Sequence, residues 1–137
     1  MSQQQISIDK LPDAIDGILG ELTADVVEGV NEAIDDASKA ALKTVRKTAP
    51  RRAHYPDGVT PEAYAKSWRR KVEKHPRGNS AVVYSERLYP LTHLLENGHM
   101  NRDGSRTDGI PHISTANDQA AEVLAQRLPA RIEEAIK

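Results

Sequence analysis

The sequence contains no cysteine and no phenylalanine, and its only aromatic residues are four tyrosines and one tryptophan. Without cysteine the chain has no disulfide, no thiolate metal ligand and no thiol nucleophile. With so few aromatic residues, we expect a core of leucine, isoleucine, valine and alanine, which is thin for a chain of 137 residues. A thin core favours a subunit that buries further apolar surface against its neighbours.

Long apolar runs and the common catalytic motifs are missing as well. No stretch approaches the roughly 20 apolar residues that cross a bilayer, so we expect no membrane partner. There is no glycine-rich phosphate loop followed by Lys-Ser/Thr, no G-x-S-x-G elbow and no serine in a recognisable triad. These absences argue against the phosphate-loop and serine-hydrolase mechanisms, and the length of the chain predicts a single domain over residues 1–137.

The formal net charge is only −1, but it is unevenly spread. Residues 1–36 carry nine acids and one base, residues 37–77 carry twelve bases and three acids, and residues 78–137 carry six bases and eight acids. One interpretation is that these are the solvated faces of ordinary helices and strands. The other is that they form complementary surfaces that join identical subunits head to tail.

A long N-terminal helix is predicted over about residues 13–48. Apolar residues recur every three or four positions from Leu11 to Val45, which is the helical period. Pro50 lies just beyond the predicted end. A helix of this length runs roughly 50 Å, so we expect part of it to pack on something outside its own domain. A bend or break at Gly29 is left open, because glycine weakens a helix interior.

The remaining elements are shorter. Alternating residues from Trp68 to Glu73 and a β-rich run at 81–84, joined through Gly78-Asn79, predict an antiparallel hairpin. Short helices are predicted at 61–67 and at 90–97, the second ending before a glycine. The stretch 98–111 is predicted to be an exposed loop.

A last helix is predicted from Thr115 to the C-terminus. Thr115 and Asp118 have the spacing of a capping box, and Pro129 is expected to kink the helix. The predicted fold class is α+β, with a long N-terminal helix and a kinked C-terminal helix packed on a small antiparallel β-sheet.

Three histidines lie close together in the sequence and offer an alternative function. His93, His99 and His112, with Glu96 nearby, are residue types that bind zinc or support a metal-dependent nuclease. Their spacing matches no familiar pattern such as H-E-x-x-H, and two of them flank a glycine-rich loop that would hold a metal poorly. The alternative function is therefore a metal-dependent nuclease or a DNA-binding protein that uses this region.

Basic residues flank the predicted loop at 49–61 and indicate proximity to DNA phosphates without sequence specificity. Trp68 could stack on a base, but a lone tryptophan in an aromatic-poor chain is more typical of a core. The candidates for residues near packaged DNA are Arg51, Arg52, Arg69, Arg70 and Lys71.

The stretch from Tyr84 to Ala116 resembles the head–tail joining proteins of tailed bacteriophages, also called tail-completion or minor tail components. Their shared pattern is LTHLLE-x-GH, a loop rich in glycine and arginine, and then G-x-PHI-x-PA. The sequence matches this pattern at Leu91, Thr92, His93, Leu94, Leu95, Glu96, Gly98, His99, Gly104, Arg106, Gly109, Pro111, His112, Ile113 and Ala116. It departs from the pattern at Thr115, where the family has proline.

This resemblance implies a structural virion protein that is not an enzyme, has no cofactor and forms part of a ring at the head-proximal end of the tail. We expect a homo-oligomer, with a hexamer as the favoured count, in contact with other neck and tail proteins. It would be located in the virion at the head–tail junction after assembly in the host cytoplasm. The loop 98–111 would be the surface that docks on a sister chain.

The candidate residues of that surface are His93, Glu96, Gly98, His99, Arg102, Gly104, Arg106, Gly109, Pro111 and His112. From charge alone, Glu96 and His99 are expected to pair with Arg102 or Arg106, on the same or an adjacent subunit. Because the loop is taken to be exposed, Gly98→Val and Pro111→Ala are expected to harm assembly more than solubility.

Overall fold

Four helices and two antiparallel hairpins make up residues 11–136, the part that the computed structural model describes, with side chains from Thr23 onward. The first helix, α1, spans Leu11–Thr48 without interruption. It begins two residues before the predicted start and passes Gly29 unbroken. Its 38 residues correspond to about 57 Å at the usual rise.

The other elements follow the predicted order with one correction. They are α2 (Pro61–Lys66), β1 (Trp68–Glu73), β2 (Ser80–Ser85), α3 (Tyr89–Asn97), β3 (Gly98–Met100), β4 (Arg106–Asp108) and α4 (Ile113–Ala135). The α+β class is therefore confirmed. The prediction of a loop throughout 98–111 is wrong, because β3 and β4 pair as a second antiparallel hairpin with Gly98 opposite Asp108.

The two long helices α1 and α4 form the most extensive contact of the fold. Small residues on α1, among them Ala33, Ala37 and Ala41, are buried and let the helices approach closely. At Gly29 the two helices are in close contact, since a Cβ there would lie 2.9 Å from the carbonyl oxygen of Arg131. Gly29 is thus a contact point between helices and not a break.

The core lies where α1, α2, β1 and the start of α4 meet. Val45, Tyr64, Trp68 and Ala116 are buried there, with aliphatic residues of α3 packed around them. The ring of Tyr64 meets the ring of Trp68 edge to face, with 6.1 Å between centroids. The prediction of Trp68 as a core residue is confirmed, but the core is centred on aromatic rings and not on aliphatic residues alone.

The hairpin of β1 and β2 is antiparallel, with Trp68 opposite Ser85. Its residues alternate between a face that packs on α1 and an exposed face. Arg70 is on the packed face, where its guanidinium lies 2.6 Å from the carboxylate of Asp35. Arg69 and Lys71 are on the exposed face, opposite Tyr84 and Val82.

Part of the acidic charge of α1 is neutralised within the chain. Asp35 pairs with Lys39 and Arg70, and Arg131 of α4 lies 3.1 Å from Glu32 and 3.2 Å from Asp36. The uneven charge in the sequence therefore includes pairs that hold α4 and β1 against α1.

The C-terminal helix continues through Pro129; the kink expected there stays a prediction. Its start differs from the expected one. α4 begins at Ile113, and the residue in the N-cap position is His112. The capping box predicted at Thr115 and Asp118 is wrong, because both residues lie inside the helix.

Candidate assembly site

The N-terminus of α4 is capped by a glutamate from α3. One Glu96 oxygen lies 2.7 Å from the backbone nitrogens of both His112 and Ile113, and the other lies 3.0 Å from that of Ser114. These amides have no partner inside the helix, and a carboxylate also complements the positive end of the helix dipole. Glu96 therefore fixes α4 to α3.

The capping hydrogen bonds change the acidity of this carboxyl. Burial by itself would raise the pKa of Glu96, but the three backbone N–H donors outweigh burial and hold the pKa below its ordinary value. The carboxylate form is thus the one that the fold stabilises. The predicted pairing of Glu96 with Arg102 or Arg106 of the same chain is wrong, because its oxygens accept these backbone hydrogen bonds instead.

His112 is fully buried and belongs to the core. Its Nδ1 lies 2.8 Å from the carbonyl oxygen of Ile110 and 3.1 Å from Glu96. Both groups accept hydrogen bonds, so Nδ1 carries a proton, and the Tyr64 hydroxyl donates to the other ring nitrogen, Nε2, 2.6 Å away. Burial raises the pKa of Tyr64, which keeps this donor protonated. The side chain of His112 therefore has no surface to offer a sister chain.

Two glycines let the hairpin of β3 and β4 lie against the end of α3. Gly98 has a φ of 79°, and a Cβ there would lie 2.3 Å from the carbonyl oxygen of Thr107. A Cβ at Gly109 would lie 2.3 Å from the carbonyl oxygen of Glu96. The expectation that Gly98 shapes only an exposed loop is thus wrong, because it is packed within the monomer.

The rest of the hairpin is on the surface. The amide of Ile110 donates to Leu95 O at 2.7 Å, and the guanidinium of Arg106 donates to Asn97 O at 2.8 Å. Beyond these contacts the turn is exposed, with 74% of Met100 accessible. Arg102 and Gly104 lie in this exposed turn, and Pro111 is exposed at the base of the hairpin.

A groove of about 680 Å³ lies between this hairpin, α3 and residues 52–56. Its floor is apolar and includes Leu91, Leu94 and Ile110, of which Leu94 is 45% exposed. His99 and Arg52 also line it. Exposed His93 is not among its lining residues. Leu91, Leu94, Leu95 and His99 bring α3 and the start of β3 into the lining of this groove.

The basic residues that were predicted to lie near DNA are found in two different environments. Arg70 is paired with Asp35 on the packed face of β1. Arg69 is exposed and donates to Trp68 O at 3.1 Å, the same oxygen that Arg46 approaches at 2.7 Å. Arg51 in turn donates to the carbonyl oxygen of Arg46.

Of the exposed basic side chains near the end of α1 and on β1, only Arg52 lines the groove, whereas Lys66, Arg69 and Arg87 line a separate concavity. Together they form a cationic surface. It consists of Arg51, Arg52, Lys66, Arg69, Lys71 and Arg87, all exposed.

The histidines are not gathered into a metal site. Among residues 23–136, whose side chains the structure describes, no group of three or more histidine, aspartate or glutamate side chains is arranged to hold a metal ion. No pattern in the sequence predicted that Tyr64 would hydrogen-bond to His112 in the core. Tyr64 lies four residues before Trp68, but the helix that contains it is too short to show an apolar periodicity.

No helix in the described part of the chain is both long and apolar enough to cross a bilayer. No family model, no curated protein and no solved structure matches this chain.

Proposed function

We propose that this protein is a structural subunit of a tailed bacteriophage, forming part of a ring at the head-proximal end of the tail. The motif that resembles head–tail joining proteins carries the identification. The observation that supports a structural role is that the titratable side chains of Glu96 and His112, both in this motif, are used in hydrogen bonds within the fold. Glu96 caps a helix and His112 is buried against Tyr64, so both act in holding three elements together.

The surface around that motif has features of an assembly interface. Arg52 of the cationic surface lines the apolar groove, and large apolar side chains are exposed elsewhere on the molecule. Val82 is 53% exposed and Tyr89 is 65% exposed. A contiguous exposed apolar patch is typical of an interaction surface, and the groove, which is lined by the partly exposed Leu94 and Ile110, is the patch that a neighbouring subunit would cover.

Strand edges offer further contacts. The sheet of β1 and β2 has two strands, and neither outer edge pairs with another described strand. Unpaired backbone N–H and C=O groups at such an edge are ready to extend a sheet into a neighbouring molecule. A ring of identical subunits would cover these edges.

Virion composition tests the proposal. Purified particles of the phage that encodes this chain would be analysed by mass spectrometry and labelled with an antibody for electron microscopy. We expect the chain in stoichiometric amounts, with label at the neck. Particles that lack the chain, from an infection in which it is made normally, would overturn the proposal.

Removal of the gene gives a second readout. A structural subunit of the neck predicts filled heads and separate tails that fail to join, and both should join when the purified chain is added. Intact infectious particles without the chain would contradict a role at the junction.

A further inference from the structure

We propose that the outer edge of β2 pairs with the same edge of a second copy of the chain, antiparallel and about a two-fold axis. The two hairpins would then form one continuous sheet. Because the same edge is used on both copies, the contact closes on a pair of chains. The inference goes beyond the proposed function and does not depend on it, since it concerns the chain outside a particle.

The backbone of β2 alternates between groups that face β1 and groups that face outward. The amide of Glu86 donates to the carbonyl oxygen of Ser67 at 3.2 Å, and these two residues continue the register of the hairpin. In an antiparallel pair, every second residue makes hydrogen bonds of this kind to the facing strand. The N–H and C=O groups of Ala81 and Val83 therefore point away from β1, toward the outer edge.

These outward groups have no backbone partner within the described part of the chain. The sheet has two strands, and no other described backbone group hydrogen-bonds to Ala81 or Val83. Both residues are partly exposed, whereas Ser85, the next residue that faces outward, is only 5% exposed. The open part of the edge therefore consists of Ala81 and Val83, and both can exchange hydrogen bonds with an added strand.

β2 has none of the features that usually protect an edge strand. Natural edges are protected by charged side chains, proline or a bulge. Residues 80–85 contain no charged residue and no proline, and their register with β1 is continuous. On the face of the sheet away from α1, Val82 is 53% exposed. Such a strand is a template for pairing with another strand.

The other described strands are less suited to pair with this edge. In β1, four of the six residues are charged, and the carbonyl oxygen of Trp68 already accepts a hydrogen bond from Arg46 at 2.7 Å. β3 and β4 have three residues each, and β4 contains Arg106 and Asp108. A second β2 brings no charge to the contact, which favours it over these strands as the partner.

A cavity of about 290 Å³ beside β2 has room for side chains of an added strand. Its lining includes Ala81 and Val83 of β2 and Ala120 and Leu124 of α4. The hairpin packs on α1 rather than on α4, so this part of α4 is not covered by a strand. The side chains of Ala81 and Val83 from the second copy would enter this apolar space.

The strand is self-complementary in one register. When Val82 lies opposite Val82 of the second copy, Ala81 lies opposite Val83, and the outward backbone groups of these two residues meet. Ser80 then lies opposite Tyr84, so a small side chain faces a large one. No like charges are placed opposite each other, and the two exposed valines cover one another.

Disulfide formation tests the contact directly, because the chain contains no cysteine. In Val82→Cys the two thiols would face each other across the axis, where Cβ atoms about 4.5–5.5 Å apart can close a disulfide with a small shift. Tyr84→Cys is the control, because Tyr84 is 37% exposed on the same face but faces Ser80 in the dimer. After mild oxidation we expect about tenfold more linked dimer from Val82→Cys than from the control.

A mixed experiment checks the register. Ser80→Cys and Tyr84→Cys should each give little linked dimer alone, whereas their mixture should give the disulfide between the two variants. Equal yields from Val82→Cys and Tyr84→Cys, or no linked dimer from Val82→Cys at any concentration, would overturn the two-fold contact.

Charge placed on the axis supplies an independent measurement by analytical ultracentrifugation. Val82→Glu and Val82→Lys each put like charges directly opposite one another, and each should weaken self-association about tenfold or more. An equimolar mixture of the two should restore association, because opposite charges then meet. The control is Lys74→Glu, exposed in the turn of the hairpin, and it should leave association within about twofold.

Three results would contradict the inference. The first is a mixture that associates no better than either charged variant, although circular dichroism shows both folded. The second is more disulfide between Val82→Cys and Lys71→Cys chains than between two Val82→Cys chains, which would assign this edge to β1 of a neighbour. The third is a natural chain that stays monomeric at every concentration, which would leave the edge to a strand of another protein. The chain could still be present in virions in each case, so the proposed function would stand.

Discussion

The hydroxyl of Tyr64 lies 2.6 Å from Nε2 of His112, and both side chains are fully buried. The two residues are 48 positions apart in the chain, so this hydrogen bond joins α2 to the start of α4. Each side chain would otherwise have a buried polar atom without a partner. The pair therefore links α2, in the middle of the chain, to the segment that leads into the C-terminal helix.

Tyr64→Phe should lower the free energy of unfolding by about 1–3 kcal/mol, because it leaves the buried Nε2 of His112 without a donor. Urea denaturation followed by circular dichroism measures the loss. Tyr89→Phe is the matched control, since Tyr89 is 65% exposed, and it should change stability by less than about 0.5 kcal/mol. Equal effects of the two substitutions would contradict the buried hydrogen bond.

Glu96→Gln should lower the free energy of unfolding at pH 7 by about 1–2 kcal/mol, the usual value of a helix cap. Gln has one oxygen acceptor where the carboxylate has two, and it has no charge to complement the dipole. Glu86→Gln, whose side chain is 60% exposed, serves as the control. A Glu96→Gln variant as stable as its control would show that α4 does not depend on this cap.

The same carboxyl predicts a dependence of stability on pH. Its pKa in the folded state is below the ordinary 4.5, so its contribution is complete above pH 4.5 and is lost as the pH falls through the lower folded-state pKa. Unfolding measured between pH 2 and pH 6 should show this loss in the natural chain and a smaller one in Glu96→Gln. Parallel pH profiles for the two chains would argue against a depressed pKa.

Gly109→Ala should destabilise the monomer strongly, by about 2 kcal/mol or more, because its methyl group would overlap the Glu96 carbonyl oxygen. Gly104→Ala is the comparison. Gly104 has a φ of 87° but no atom within 4 Å of its Cβ position, so only the left-handed backbone penalty of about 1 kcal/mol applies. Thermal unfolding should rank Gly109→Ala well below Gly104→Ala, and the reverse order would exclude the close packing of the hairpin.

Gly29→Ala should destabilise the protein although alanine favours helix by about 1 kcal/mol over glycine. The added methyl group would lie 2.9 Å from Arg131 O, and pushing α4 away costs roughly 1–3 kcal/mol. Chemical denaturation decides the sign. A stabilised variant would mean that α1 and α4 have room to separate at this point.

The long helix and the first hairpin were predictable because their evidence is local. A three- to four-residue apolar period runs through α1, and Gly78-Asn79 separates two β-rich runs. The end of α3 at Gly98 was predictable for the same reason. Each of these features depends on residues that are neighbours in the sequence.

The cap on α4 and the second hairpin were not predictable in this way. Glu96 reaches amides sixteen or more residues later, and the sequence offered Thr115 as a nearer cap. β3 and β4 have three residues each, too few to show an alternating pattern. Their pairing depends on two close backbone contacts that only the folded chain forms, one between Gly98 and Thr107 and one between Gly109 and Glu96 at the end of α3.

The carboxylate of Glu96 makes the beginning of α4 conditional on α3. A helix that carries its own cap can form early and locally, whereas α4 has its first amides satisfied only after α3 has docked beside them. The final helix should therefore fold together with the second hairpin as one cooperative unit. A neighbouring molecule that displaces the second hairpin would therefore also disturb the packing of α4 against α1.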